Sequence, residues 1–188
     1  NGKYLAIMDS DDLSDPNRIY KQVNYMEKNP EIDAIGTHYK VIGSKFRNKI
    51  SSRYNTPEEI KVRLLFANPI ANPTSMIRKN TLEKYNIRYN NEFFVAQDYD
   101  LWLQISKVGK SAISPDYLLT YRVGHNNISK TSKNKKVKQR KKIIDSIHID
   151  GLNHYNFNLN KDELKIFNNF FTDNPVEVLR QETLNDVI

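Results

Sequence analysis

The chain contains no cysteine, so it can form neither a disulfide framework nor a thiolate metal site. It also lacks any run of the ~20 consecutive apolar residues that a membrane-spanning helix needs. The opening segment, NGKYLAIMDSDD, has acids where a signal peptide would have small residues before its cleavage site. From these absences we expect a cytoplasmic protein, and the length of 188 residues suits one domain plus an appendage.

Positive charge is concentrated in one part of the chain. The net charge is +7, but residues 130–142 carry eight basic side chains and no acid, so the remainder is close to neutral. Three interpretations of this segment stay open: a solvated linker, contact with anionic lipid headgroups at the inner face of a membrane, and nucleic-acid binding. Because the basicity is local, the overall charge does not argue for a nucleic acid, and we expect no nucleic-acid partner.

Strand and helix signals alternate in the first half of the chain. The apolar run 3–8 predicts a short buried strand that leads directly into acids. Asp15 precedes a proline and predicts a helix start, and Asn29 precedes another proline that should end the helix. Strand patterns follow at 32–36 and 39–42. This alternation indicates the α/β class.

Further helix signals follow these strands. A capping box at 56–59 and a similar pattern at 80–83 predict helix starts. Residues 97–108 have the periodicity of an amphipathic helix, with Gly109 as its stop, and 112–123 should form one or two strands.

The composition changes at about residue 126, and three helical segments follow the basic stretch. One of these segments has a capped start at Asn160 and another at Asn174. We therefore predict a catalytic domain at 1–125, a basic linker at 126–142 and a helical appendage at 143–188.

An acidic cluster follows the first predicted strand: Asp9, Ser10, Asp11 and Asp12. In open α/β sheets ligands bind at the carboxyl ends of strands. Neighbouring carboxylates repel one another unless a cation offsets them, and their oxygens suit Mg²⁺ or Mn²⁺, which also bind phosphate. The cluster therefore predicts a metal site for a nucleotide diphosphate. A simple turn and a calcium loop are the alternatives.

Four segments in order resemble family-2 glycosyltransferases of the GT-A fold. They are GKYLAIMDSDDLSDPNRIYKQVNYMEKNPEIDAIG, NPIANPTSMIRK, QDYDLWLQISKVGK and LLTYRVGHNNIS, and together they span residues 2 to about 130. The resemblance implies a mixed sheet flanked by helices, with the first strands missing and a helical C-terminal appendage. Members of this family normally carry a further half before the acidic motif. We therefore expect an exposed sheet edge and weak or no activity from this chain alone.

The resemblance also implies roles for particular residues. Asp9 and Asp11 match the metal-binding motif for Mn²⁺ or Mg²⁺ and, with Ser10, the donor site. Asp98 matches the catalytic base, and His125 matches a late histidine that can complete the metal site. On the acceptor side the candidates are Asp12, Gln97, Trp102 and Arg78.

Alternative interpretations accompany several of these residues. Gln97 stands where the family usually has glutamate, and this lost charge should lower the pKa of Asp98. Asp98 could instead be an ordinary first-turn acid, with Asp100 as the fallback base. Trp102 could belong to the core and Arg78 could be solvated.

The function that follows is inverting transfer of a hexose or N-acetylhexosamine from a nucleoside-diphosphate sugar, such as a UDP-sugar. The acceptor would be a saccharide or lipid-linked hydroxyl in surface-polysaccharide or lipopolysaccharide synthesis. The alternatives are a non-catalytic saccharide- or nucleotide-binding module and an inactive fragment.

Overall fold

The structure, a computed structural model, describes residues 2–43, 49–123 and 137–171. The strands are β1 (Tyr4–Ala6), β2 (Leu13–Ser14), β3 (Ala34–Ile42), β4 (Lys49–Ile50), β5 (Met76–Arg78) and β6 (Ser111–Arg122). The helices are α1 (Arg18–Lys28), α2 (Pro57–Arg63), α3 (Lys79–Lys84), α4 (Gln97–Val108), α5 (Val137–His154) and α6 (Lys161–Phe170), and a 3-10 turn spans Asn72–Thr74. Across the described ranges, every helix is too short or too polar to cross a bilayer.

The strands form one mixed sheet in the order β1-β5-β3-β6-β2, and β4 pairs with β3 at one end. β3 and β6 run parallel, while the other described pairs are antiparallel. β3 and β6 are also the longest strands, so the parallel pair forms the centre of the sheet. The predicted mixed sheet flanked by helices is confirmed.

β1 lies at an edge of this sheet, and its predicted burial is wrong. It pairs with β5 through Tyr4, Leu5 and Ala6, and no other described strand pairs with it. Leu5 is 42% exposed and Ala6 is exposed as well. A short apolar run predicts a strand well, but it does not reveal how many neighbours the strand has.

α4 supplies the centre of the core and matches its predicted bounds. Leu101, Trp102 and Ile105 are fully buried in the main apolar cluster. The helix ends at Gly109, where a Cβ atom would lie 2.2 Å from the Asp33 carboxylate. That carboxylate accepts a hydrogen bond from the Lys110 backbone at 2.9 Å, so a side chain at position 109 would displace a strand contact.

α1 begins later than predicted, and the face that it buries is largely polar. Asp15 caps a turn by accepting a hydrogen bond from the Asn17 backbone, and the helix itself starts at Arg18. The helix buries Arg18, Gln22 and Met26, whereas Ile19 is half exposed. The predicted stop at Asn29 is confirmed.

Both strands of the central pair are unbroken, whereas their sequence patterns allowed two segments for each. The segments 32–36 and 39–42 join into one strand, β3. β6 is likewise continuous, although its register with β3 shifts where Thr37 faces Ser114 and His38 faces Tyr117. The proline at 115 therefore produces a bulge and does not end the strand.

α5 begins inside the segment predicted to be a linker. Residues 137–142 are helical, and Ile147 further along α5 joins the main core. The helix start predicted at Asn160 is confirmed by a complete capping box. The helix predicted from Asn174 and the basic residues before 137 lie outside the described residues, so the division into domains and the membrane contact stay predictions.

His148 of α5 is fully buried where α4, α5 and α6 meet. Its Nδ1 lies 3.2 Å from Asn168, and its ring packs edge-on against Tyr99 and Phe167. Burial lowers the pKa of His148, although Asn168 and the Phe66 backbone offset part of this effect. Burial therefore favours the neutral form of the ring in the folded chain.

We predict that the helical end of the molecule loses stability in mild acid through His148. Below about pH 6.5 the unfolded imidazole takes up a proton that the folded one resists, which costs at most about 1.4 kcal/mol per pH unit. His148→Gln keeps a polar partner for Asn168 but does not titrate. Urea unfolding at about pH 7.5 and about pH 5.5 should show a smaller loss of unfolding free energy in this variant. Equal losses in both proteins would contradict the assignment.

Candidate active site

The acidic residues form an exposed loop between β1 and β2. Asp9, Ser10 and Asp11 are exposed, and the backbone N–H of Asp12 donates to the Asp9 carbonyl at 3.3 Å to close a turn. Burial of the carboxyl and the charge of Asp11 both raise the pKa of Asp9. The segment is therefore a turn in its geometry and also a concentration of negative charge.

Asp12 turns inward and cannot contact an acceptor, contrary to the prediction. It is 5% exposed, and its Oδ1 accepts a hydrogen bond from the Arg122 backbone at 2.9 Å. Its Oδ2 is buried and has no hydrogen-bond partner within the described part of the chain. Burial raises its pKa, as do the charges of Asp11 and Asp9. Asp12 thus fixes the acidic loop to the end of β6.

A buried arginine holds the start of the acidic loop. Arg18 is 1% exposed, and its guanidinium donates to the Ile7 carbonyl at 2.7 Å and the Ser75 carbonyl at 3.1 Å. Its Nε donates to Gln22, which in turn donates to the Thr74 carbonyl at 2.8 Å. These bonds join three segments: α1, the end of β1 and the residues that lead into β5.

Asp98 lies in the first turn of α4 and is held by Asn68. The Asn68 amide donates to Asp98 Oδ2 at 3.0 Å. Burial raises the pKa of Asp98, while the backbone N–H groups of Asp98 and Tyr99 and the charge of Arg140 oppose the rise. The backbone N–H groups at the helix start stabilise the charged form of Asp98, but burial outweighs them.

Tyr89 lies within electrostatic range of both Asp98 and the acidic loop. Burial raises the pKa of Tyr89, the hydrogen bond with Asn72 lowers it, and the charges of Asp98 and Asp9 raise it further. The Tyr89 hydroxyl donates to Asn72 at 3.3 Å.

Two pockets of similar size adjoin Asp98. One, of about 290 Å³, has a polar lining that includes Thr37, Ser51, Ser52 and Asn68. The other, of about 300 Å³, combines aromatic rings such as Phe66 and Tyr99 with the polar side chains of Asn68 and Arg140. Asp98 can thus reach a ligand from either side.

Three acceptor-side candidates have other roles. Trp102 is fully buried in the core, so its ring cannot stack on a sugar. Arg78 donates to the Ile32 carbonyl at 2.7 Å and to two carbonyls at the end of α1. It also donates to the Tyr4 hydroxyl at 3.0 Å. The Gln97 amide donates to the Phe93 carbonyl and so shapes the loop before α4.

Asp100, the fallback candidate, is less suited than Asp98 to act as the catalytic base. Asp100 is 9% exposed, and its carboxylate accepts a hydrogen bond from Gln104 at 2.6 Å. It does not line either of the two pockets beside Asp98. The structure therefore brings Asp98, and not Asp100, to the pockets.

The donor set of the acidic loop consists of hard carboxylate oxygens. Within the described residues no three His, Cys, Asp or Glu side chains converge on one point. His125, the predicted third ligand, lies outside those residues. Mg²⁺ commonly uses one or two carboxylates and takes further ligands from phosphates and water. Asp9 and Asp11 fit that mode of binding.

Asn68 and Tyr89 were not predicted from the sequence. Asn68 belongs to the segment NPIANPTSMIRK, in which a short polar residue before a proline looks like a turn residue. Tyr89 lies in a loop without any periodic pattern. The only sequence signal for either residue is that it lies within or near a segment that resembles the family.

The chain matches known proteins over much of its length. Residues 1–99 match the family described as "Glycosyl transferase family 2". An uncharacterized glycosyltransferase of Haemophilus influenzae is 34% identical over 152 residues, which cover 76% of this chain and 47% of the relative. The UDP-Glc:alpha-D-GlcNAc-diphosphoundecaprenol beta-1,3-glucosyltransferase WfgD of Escherichia coli is 27% identical over 147 residues, 77% of this chain and 54% of WfgD.

The fold is shared with a solved structure. S. aureus TarS 1-349 in complex with UDP-GlcNAc superposes with a TM-score of 0.69 and 15% sequence identity, covering 100% of this chain and 54% of that one. The likeness supports the predicted GT-A type of fold. The chain spans about half the length of the curated relatives it matches.

We predict that the buried guanidinium of Arg18 is required for stability as well as for the site. Arg18→Met should lower the unfolding free energy by about 1–3 kcal/mol, because the Ile7 carbonyl loses its side-chain donor and the Ser75 carbonyl keeps only the Ile7 backbone N–H. Lys28→Gln on the exposed face of the same helix should change it by less than about 0.5 kcal/mol. Urea unfolding of both variants measures these free energies. An unchanged unfolding free energy for Arg18→Met would refute this role of the guanidinium.

Proposed function

Because the chain belongs to glycosyltransferase family 2, we propose that the protein carrying it transfers a hexose or N-acetylhexosamine from a nucleoside-diphosphate sugar. The acceptor would be a saccharide or lipid-linked hydroxyl in the synthesis of a surface polysaccharide or lipopolysaccharide. The observation that carries this proposal is the position of Asp98, which lies in the first turn of α4, accepts a hydrogen bond from Asn68 and lines two pockets. A carboxylate held at the wall of a pocket can act as a base on a bound hydroxyl.

The proposed reaction inverts the sugar's anomeric centre. The acceptor oxygen attacks the anomeric carbon and gives its proton to Asp98, while the diphosphate leaves from the opposite face with the bonding electrons. Asn68 holds the carboxylate of Asp98 in place through one of its oxygens. The raised pKa of Asp98 makes it a stronger base than an exposed aspartate.

Asp9 and Asp11 are the proposed ligands of Mn²⁺ or Mg²⁺, and Ser10 lies between them on the donor side. A divalent cation bound there would neutralise the charge that develops on the diphosphate. Asp9 and Asp11 lie two residues apart in one turn, and the charge of Asp11 adds to the effect of burial in raising the pKa of Asp9, so a cation bound between them would offset their repulsion.

A UDP-sugar is the proposed donor. The Escherichia coli relative is named for a reaction with UDP-Glc, and TarS was solved with UDP-GlcNAc. These names describe those proteins. They support the same class of donor here, because the acidic loop and the base occur on the same type of fold.

We expect Asp98→Asn to reduce kcat by at least about 100-fold, because the base is lost, and to change donor binding little. In the unaltered protein kcat/KM should fall as pH drops through the raised pKa of Asp98, since the base must be ionised. Asp100→Asn, on the same helix, should retain most of the activity. These values come from sugar-transfer assays across a range of pH, and full activity of Asp98→Asn would show that another group is the base.

We expect Asp11→Ala to abolish Mn²⁺-dependent binding of UDP, because the variant loses a ligand with a full negative charge. Glu31→Ala removes the same charge beyond the other end of α1 and should bind UDP within about twofold of the original. Calorimetric titration with and without Mn²⁺ measures this difference. Metal-dependent binding without any sugar transfer would favour a non-catalytic nucleotide-binding module.

A further inference from the structure

The helix α5 runs beside α4 in the same direction. At the ends of the two helices, the hydroxyl of Tyr155, the residue after α5, donates to the Ser106 carbonyl at 3.0 Å, and Lys107 forms an ion pair with Asp150. At their starts, Asp98 and Arg140 line one pocket of about 300 Å³. The two helices are therefore parallel, and this arrangement brings the first turn of α5 to the first turn of α4.

Packing between the helices fixes this arrangement. Ile147 of α5 belongs to the same buried cluster as Leu103 of α4. A Cβ atom on Gly151 would lie 3.2 Å from a methyl carbon of Leu103, which is closer than an ordinary contact between carbon atoms, so the helices approach closely at this point. Because close-packed side chains resist sliding and rotation, the core holds Arg140 at the pocket of Asp98.

The charge of Arg140 acts on Asp98. It lowers the pKa of Asp98 and so opposes part of the rise that burial causes, and within the described part of the chain it is the one charged side chain that does so. Lys141, the next residue of α5, is instead paired with Asp145 at 2.8 Å. The other elements around Asp98 present groups that titrate but do not contribute to this pKa: His38 and Tyr39 of β3, Tyr89 in the loop before α4 and Tyr99 of α4.

A buried base faces two opposing requirements. Burial increases the proton affinity of a carboxylate, which helps it to take a proton, but a carboxylate that is already protonated cannot act as a base. A cation that lines the same pocket stabilises the ionised form. An acceptor that enters the pocket excludes water and so strengthens the attraction between the two charges.

We propose that Arg140 is a positioning residue for the base: from the pocket that the two residues share, its guanidinium keeps the Asp98 carboxylate ionised and oriented to take the proton of the acceptor hydroxyl. The inference rests on the proposed function and deepens it. Arg140 lies beyond residues 1–99, the part of the chain that matches the family, so the helical C-terminal part of the chain completes the site. Arg140 acts through Asp98 and not on the sugar or the diphosphate.

The first measurement follows the titration of Asp98 by nuclear magnetic resonance, in protein with isotope-labelled aspartate carboxyl groups. The signal that is missing from Asp98→Asn identifies the residue. Arg140→Gln removes the cation, so the proton affinity of Asp98 should rise at least about threefold. Arg140→Lys keeps a positive charge and should restore most of the original affinity. Lys142→Gln removes the same charge from an exposed position on α5 and should change the affinity by less than about 1.5-fold.

The second measurement is kcat/KM for sugar transfer across a range of pH. On the acid side of the profile, Arg140→Gln should lower kcat/KM at least about threefold, and the loss should disappear as the pH rises, because the variant changes the proton affinity of the base. Arg140→Met keeps the apolar stem of the side chain without its charge and should behave in the same way. A residue that only supported the fold would lower kcat/KM at every pH.

An unchanged proton affinity of Asp98 in both Arg140→Gln and Arg140→Met would overturn the proposal. An equal rise in Lys142→Gln, or a loss of activity at every pH, would overturn it as well. Thermal unfolding of each variant is the control for folding. The titration needs no catalysis, so the two proposals fail separately. Sugar transfer with an unchanged affinity in the Arg140 variants refutes this role alone, and a raised affinity in a protein that transfers no sugar refutes only the transferase activity.

Discussion

The buried guanidinium of Arg18 holds together the two chain segments on which the site depends. It joins the Ile7 carbonyl, just before the acidic loop, to the Ser75 carbonyl, just after the 3-10 turn. A charge removed from water is costly unless hydrogen bonds replace its hydration, and here they do. Asn68, which holds Asp98, lies seven residues before Ser75 in the chain segment that Arg18 fixes.

Burial has the largest effect on the pKa values of the acids in the site. It is the largest cause of the raised pKa of Asp9, Asp12 and Asp98, and neighbouring charge adds to it at Asp9 and Asp12. A fold selected for stability alone would pair or expose such carboxylates. Acids kept close together and partly desolvated are typical of sites that bind a cation or move a proton.

Local signals in the sequence predicted the elements whose cause is local. The α4 helix, the Thr56 and Asn160 capping boxes and the stop at Asn29 were all correct, because caps and helix periodicity involve residues a few positions apart. The bulge in β6 and the continuity of β3 were missed, because each depends on the partner strand. The acids of the site were recognised through family resemblance. Their supports, Asn68 and Tyr89, were not.

The sequence by itself determined the α/β class, the acidic loop after the first strand and Asp98 at a helix start, since these are properties of short segments. Tertiary structure alone decided which side chains are available to a ligand. Trp102 and Arg78 were predicted to be site residues. Trp102 is instead buried in the core, and Arg78 donates hydrogen bonds to backbone carbonyls. Residues 30 or more positions apart meet through packing, and burial, hydrogen-bond partners and pKa values depend on those meetings rather than on sequence spacing.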